Sequence, residues 1–122
     1  MNKITTEHAP AAIGPYSQAY SANGFLFTSG QLGLDPSTGA AGCTIEEQAE
    51  QSCKNIGAIL AAAGVTFDHV VKTTCFLADM NDFAAFNAVY ARYFTGNPAR
   101  SCVAVRTLPK GMLCEIEAIA AL

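Results

Sequence analysis

Tryptophan is absent from this chain, histidine occurs only twice, and just 14% of the residues are charged. Neither His8 nor His69 has a second ligand at metal-binding spacing, so no metal site is expected. The five cysteines, at 43, 53, 75, 102 and 114, are odd in number and contain no Cys-x-x-Cys pair. They predict reduced thiols acting mostly as small hydrophobes, and they exclude a disulfide framework. Seven Lys/Arg against ten Asp/Glu leave a net charge of −3, with the basic residues scattered along the chain. Affinity for a phosphate backbone should be weak, so nucleic acid is not an expected partner. No apolar run approaches the roughly 18 residues of a membrane span, and Met1 to His8 holds no apolar signal core. A cytoplasmic location without membrane association is the expectation.

What the chain has in excess is apolar side chains, 51% of its 122 residues. The length suits one domain over residues 1–122, with no internal repeat or low-complexity segment. Such a small domain does not easily bury that much apolar surface by itself, which points to an oligomer interface.

Punctuation by Gly, Pro and Asn divides the chain into elements. Gln18 to Ala22 and Phe25 to Ser29 flank Asn23-Gly24, whose two positive-φ residues predict a tight hairpin. Gly30 and Gly33 should end the second strand, and Asp35-Pro36-Ser37-Thr38-Gly39 reads as a turn. Thr44 and Glu47 form a Thr-x-x-Glu capping box ahead of Ile45, Ala49, Cys53, Ile56, Ile59 and Leu60 at helical spacing. That helix should run to Ala63 and stop at Gly64. Val70 to Leu77 is β-branched and apolar, a strand leading through Asp79-Met80-Asn81-Asp82 into a second helix. Phe83, Phe86, Val89, Tyr90, Tyr93 and Phe94 make one aromatic stripe on it, read as core packing, with Gly96 and Pro98 closing the helix. Ser101 to Arg106 and Met112 to Ala121 are read as a final hairpin across Leu108-Pro109-Lys110-Gly111.

The resulting order, β-β-α-β-α-β-β, predicts an α+β domain with two helices on one face of a mixed sheet of five or six strands. In the last strand Cys114, Ile116, Ala118 and Ala120 alternate with Leu113, Glu115, Glu117 and Ile119. Both faces carry apolar residues, so the face away from the helices should meet partner subunits.

In so apolar a sequence, Arg100 at the start of one strand and Glu115 inside the next are the first candidates for chemistry. A buried carboxylate that is neither paired nor in use costs several kcal/mol. Arg100 offers a planar fork of donors suited to holding a carboxylate bidentately. Glu115 can act as a general base toward water. Cys102, two residues after Arg100, should share its face of the strand. It is either a thiol nucleophile or a pocket wall whose backbone carbonyl orients water; no histidine is spaced to serve as its base, which favours the wall.

Gly14-Pro15-Tyr16, Thr28-Ser29-Gly30-Gln31, Asn81-Asp82-Phe83 with Asn87, Pro98 to Cys102, and Glu115 to Ala120 together resemble the reactive intermediate deaminase (RidA/YjgF) family. The resemblance covers nearly the whole chain. It implies a chorismate-mutase-like fold, a homotrimer with active sites in the clefts between subunits, and no cofactor. The implied activity is hydrolysis of 2-iminobutanoate, 2-iminopropanoate and their enamine tautomers to 2-oxo acids and ammonia. It also implies substrate contacts at Tyr16, Ser29, Gly30, Asn87 and Arg100, with catalysis by Arg100, Glu115 and Cys102. One departure is the short Phe94-Thr95-Gly96-Asn97-Pro98 connection, tighter than the family pattern.

Two other classes compete. An endoribonuclease would require a cationic cleft beside an acid–base pair, usually histidine, and this acidic chain lacks the cleft. A non-catalytic trimer that binds small 2-oxo acids or acts as a chaperone would need Arg100 but not Glu115.

Overall fold

The computed structural model describes residues Met1–Leu122. Seven strands and two helices follow one another: β1 (Asn2–Ile4), β2 (Ala19–Ala22), β3 (Phe25–Thr28), β4 (Gln31–Leu32), α1 (Ile45–Ala62), β5 (Val70–Leu77), α2 (Phe83–Tyr93), β6 (Ala99–Ala104) and β7 (Cys114–Ala121). They form one mixed sheet in the order β1-β2-β3-β7-β5-β6, with β4 pairing β7 beyond the end of β3. The α+β class and the helices on one face agree with the sequence reading. The short strands β1 and β4 are additional to it.

The β2–β3 hairpin turns at Asn23 and Gly24, both with positive φ (52° and 80°), as an Asn-Gly pair permits. The expected final hairpin does not exist. β5 and β6 run parallel on either side of the α2 crossover, which leaves β6 at the sheet edge and β5 between β6 and β7. The cause is the β5-α2-β6 sequence itself, because a helical crossover returns the chain in the direction it came. The segment after β6 therefore passes β5 before β7 enters antiparallel to both β3 and β5.

Helix α1 starts where Thr44 Oγ1 accepts from the Glu47 amide at 3.1 Å. The return contact of this box goes from the Thr44 hydroxyl to the Glu47 carboxylate and not to the Thr44 backbone. Ala49, Cys53, Ile56, Ile59 and Leu60 are buried with Leu26, Cys75, Leu77 and Ile116 of the sheet. Each of the Ile and Leu side chains contributes on the order of 1.5–3 kcal/mol by leaving water. A second, polar row on α1 reaches the same sheet. Ser52 Oγ donates to the Gln31 carbonyl at 2.7 Å, and Asn55 Nδ2 donates to the Leu32 and Leu34 carbonyls at 3.0 and 2.9 Å. Gln48 Oε1 accepts from the Leu113 amide at 2.8 Å.

Helix α2 ends earlier than expected. It stops at Tyr93, and the left-handed residue of its exit is Asn97 (φ 50°), not Gly96. Asparagine tolerates that region better than other side chains, so the closing role of the glycine falls to its neighbour. Along β7, Cys114, Ile116, Ala118 and Ala120 lie beneath the helices, whereas Glu115, Glu117 and Ile119 look the other way. That outer face also carries Tyr20, Phe25, Phe27 and Val103, which are 41–46% exposed.

Candidate active site

Arg100 and Cys102 stand in register with Thr73 and Cys75, which places both side chains on the helix face of the sheet, under α2. There Arg100 Nη1 donates to Asn87 Oδ1 at 2.8 Å. Its guanidinium carbon lies 4.7 Å from the Tyr90 ring centroid and 5.6 Å from that of Phe83. Asn87 and Tyr90 are three residues apart on α2 and so project onto one face. No carboxylate pairs with Arg100, since the ion pair of the chain joins Arg92 to Glu50 on the helix surface. A half-buried cation whose one hydrogen-bonded partner is a neutral amide keeps donors free for an anion. The pocket in front of it, about 280 Å³, is lined by Asn87, Tyr90, Phe94, Asn97, Pro98 and Arg100.

Cys102 lies beside this guanidinium, half-buried. Burial pushes its thiol above the ordinary value, and the opposing pull of Arg100 is the smaller effect. A thiol kept protonated is a poor nucleophile.

A second, larger cavity of about 810 Å³ holds Tyr16, Ser29, Gly30 and Glu115. It exists because β3 and β4 part from β7 between them. β3 ends at Thr28, whose hydroxyl accepts the Ala118 amide at 3.0 Å in place of a ladder carbonyl. Ser29 then turns inward, its amide bound to the Gln18 carbonyl at 2.8 Å and its hydroxyl to the Ser17 carbonyl. The hydroxyl is thus spent on holding the strand end. Gly30 faces Glu115 so closely that an added Cβ would come within 2.7 Å of the carboxyl carbon. Glycine is the residue that leaves this carboxylate its place.

The Glu115 carboxylate makes no hydrogen bond or ion pair within the chain. Burial raises its carboxyl above the ordinary value of 4.5, and the like charge of Glu117 on the same face adds to the rise. Gln18 supports the opposite wall: its amide donates to the Ala9 and Pro10 carbonyls at 3.2 and 2.8 Å while Oε1 accepts from the Thr6 amide at 2.7 Å. Tyr16 lies at the mouth, 54% exposed.

The sequence-derived residues therefore fall into two groups. Tyr16, Ser29, Gly30 and Glu115 meet in the large cavity, and Asn87 and Arg100 meet in the small pocket, with Cys102 two residues along β6 on the same face but outside the pocket lining. One chain does not bring the groups together. Glu115 is in register with Phe76 and Arg100 with Thr73, positions three residues apart on β5 and so of opposite facing. Sequence reasoning missed Tyr90, which it assigned wholly to the core, and Gln18, which it left in a strand. The spacing of Asn87 and Tyr90 was the available signal for the first; nothing local marked the second.

Known proteins match this fold along its length. The family described as endoribonuclease L-PSP matches residues 6–122. A RutC family protein of Synechocystis is 54% identical over 126 residues, covering 100% of this chain and 97% of the relative. The mouse 2-iminobutanoate/2-iminopropanoate deaminase is 55% identical over 120 residues, covering 96% of this chain and 88% of the relative. The crystal structure of the YjgF gene product of E. coli aligns with a TM-score of 0.95 at 47% identity, covering 99% of this chain and 98% of that one. With the family signature spanning nearly every residue and close relatives sharing half the sequence, this chain belongs to the YjgF/RidA family.

Proposed function

We propose that this protein hydrolyses small 2-imino acids, 2-iminobutanoate and 2-iminopropanoate with their enamine tautomers, to 2-oxo acids and ammonia. The carrying observation is that the two pockets lack what the other has. The Arg100 pocket holds a guanidinium with free donors and no base, and the Glu115 cavity holds an unpaired carboxylate and no guanidinium, Lys110 on its lining making no ion pair with Glu115. A complete site then forms when a second copy sets its Arg100 pocket against the Glu115 cavity of the first. The exposed Tyr20, Phe25, Phe27 and Val103 supply an apolar face for such association. A closed ring of three 12.7 kDa chains, about 38 kDa, uses each half-site once.

In that site Arg100 grips the substrate carboxylate through paired N–H groups, with Asn87 holding the guanidinium from one side. The imine carbon then lies toward Glu115. As its carboxylate removes a proton from water, the oxygen bonds to the imine carbon and the C=N π electrons move onto nitrogen. Glu115 returns that proton to the nitrogen to complete the carbinolamine, then takes the hydroxyl proton and delivers it to the amino nitrogen, so the C–N bond breaks with release of ammonia as the O–H electron pair becomes the C=O π bond. A raised carboxyl value suits a group that must both take and return a proton. Tyr16 and Gly30 bound the reacting carbon, and Cys102 forms the wall below Arg100.

Coupling the protein to a threonine dehydratase in the presence of semicarbazide tests this reading. The expected result is diversion of the imine to 2-oxobutanoate with less trapped adduct; unchanged trapping at high protein concentration would refute it. Light scattering on a sizing column checks the assembly, and a stable monomer would leave the half-sites apart.

A further inference from the structure

We propose that Tyr90 is a positioning residue for Arg100, its ring face fixing the plane in which the guanidinium meets a carboxylate. The inference rests on the reading of Arg100 as the carboxylate anchor. An arginine at a strand start has several freely turning bonds, and bidentate binding requires one orientation of its fork. The Asn87 contact alone fixes one nitrogen and leaves the plane free to turn about it. The Tyr90 ring, 4.7 Å from the guanidinium carbon, removes that freedom, because the cation is attracted to the ring face.

The ring itself is held fast. Its hydroxyl is 2.7 Å from Thr73 Oγ1, and Thr73 is fully buried on β5 in register with Arg100. Phe94 stacks on it with centroids 4.3 Å apart and planes 17° apart. Burial pushes the phenol up to about 12, so the hydroxyl stays protonated across the range in which the site would work. The strand that neighbours Arg100 thus also locks the ring that orients it. The one side-chain oxygen bound by the guanidinium is Asn87 Oδ1, and its inner side borders the Cys75 thiol, which leaves the outward donors for the ligand.

The test measures the Kd of 2-oxobutanoate by calorimetry for Tyr90→Phe, for Tyr90→Met and for a graded series of fluorinated phenylalanines at position 90. Fluorination withdraws electron density from the ring face while nearly preserving its shape, so folding and packing are held constant across the series. Tyr90→Phe should bind close to wild type, and affinity should fall stepwise with fluorination. Tyr90→Met, which fills the space without a π face, should weaken binding by about tenfold, the scale of a desolvated cation–π contact. The KM for the imine should rise in parallel with the Kd of 2-oxobutanoate, with a smaller fall in kcat. Equal affinity across the fluorinated series would overturn the proposal, even if Tyr90→Met lowers the melting temperature. Arg100→Lys separates the two readings: if it binds 2-oxobutanoate normally, the anchor itself is wrong, whereas lost binding there with a flat fluorinated series removes only the role of Tyr90.

Discussion

The Arg100 pocket and the Glu115 cavity differ in origin and in how they treat charge. The first comes from one continuous stretch, β5, α2 and β6, so its geometry is set by a single crossover unit. The second draws on segments around residues 10–18, 29–39 and 109–115, which meet only after the sheet is assembled. The cation is surrounded by groups that favour its charge, two aromatic faces and an amide oxygen. The carboxylate has no such company and is pushed toward its protonated form. On the proposed reading, the first region keeps a charge with which to bind, and the second lets a proton come and go.

If that contrast is right, the two charges should fail in different ways when changed. Arg100→Lys should show the largest loss, nearly all imine hydrolysis together with 2-oxo acid binding. On the order of 2–5 kcal/mol is at stake for a desolvated charge pair. Steady-state assays with calorimetry check both quantities, and retained binding would place the carboxylate elsewhere.

Glu115→Gln should instead lower turnover by about 100-fold or more while leaving 2-oxo acid affinity nearly intact. Wild-type activity should decline as pH falls through the raised value of Glu115, that is, above 4.5, and the variant should lack this limb. Stability gives an independent check on the same residue. A folded value above the unfolded one contributes stability below about 4.5 that is lost as pH rises through the folded value. Glutamine has no such loss, so Glu115→Gln should melt higher at neutral pH in calorimetry. A lower melting point would mean that the carboxylate has a stabilising partner.

Gly30→Ala should cost less, about tenfold in turnover, by pushing the carboxylate out of line without removing it. A high-resolution structure of the variant should show the Glu115 side chain rotated away. Cys102→Ser should have the smallest effect and keep most activity, because its thiol is held protonated beside Arg100. A near-dead serine variant, or a trapped thio-adduct, would move the nucleophile to sulfur.

The two regions also differ in how far the sequence announces them. Val70–Leu77, the Asn23-Gly24 turn and the Thr44 cap are local patterns, and each stands in the structure where its residues predict it. Arg100 and Glu115 were conspicuous because charge is scarce in this chain. Their placement on opposite faces was not legible, since it depends on β5 entering between β6 and β7. Adjacent elements joined by a short link suggested a hairpin, and the parallel crossover overrode it. β4 escaped notice because two residues carry no periodicity, and its strand partners Ile116 and Glu115 lie far along the chain on β7. Tyr90 was hidden in the aromatic stripe of α2, where a residue that packs and a residue that orients a cation look alike.

The polar row of α1 bears on how many structures this sequence can adopt. A purely apolar helix face could slide along the sheet by one turn, about 5.4 Å, and still bury its methyl groups. Ser52 and Asn55 meet the carbonyls of Gln31, Leu32 and Leu34, and Gln48 meets the Leu113 amide, in one alignment only. Sliding would orphan these buried groups together, at about 1–3 kcal/mol each. The competing alignments are thereby lifted well above the native one, and the energy gap that singles out one fold is set in part by hydrogen bonds whose net contribution to stability is small.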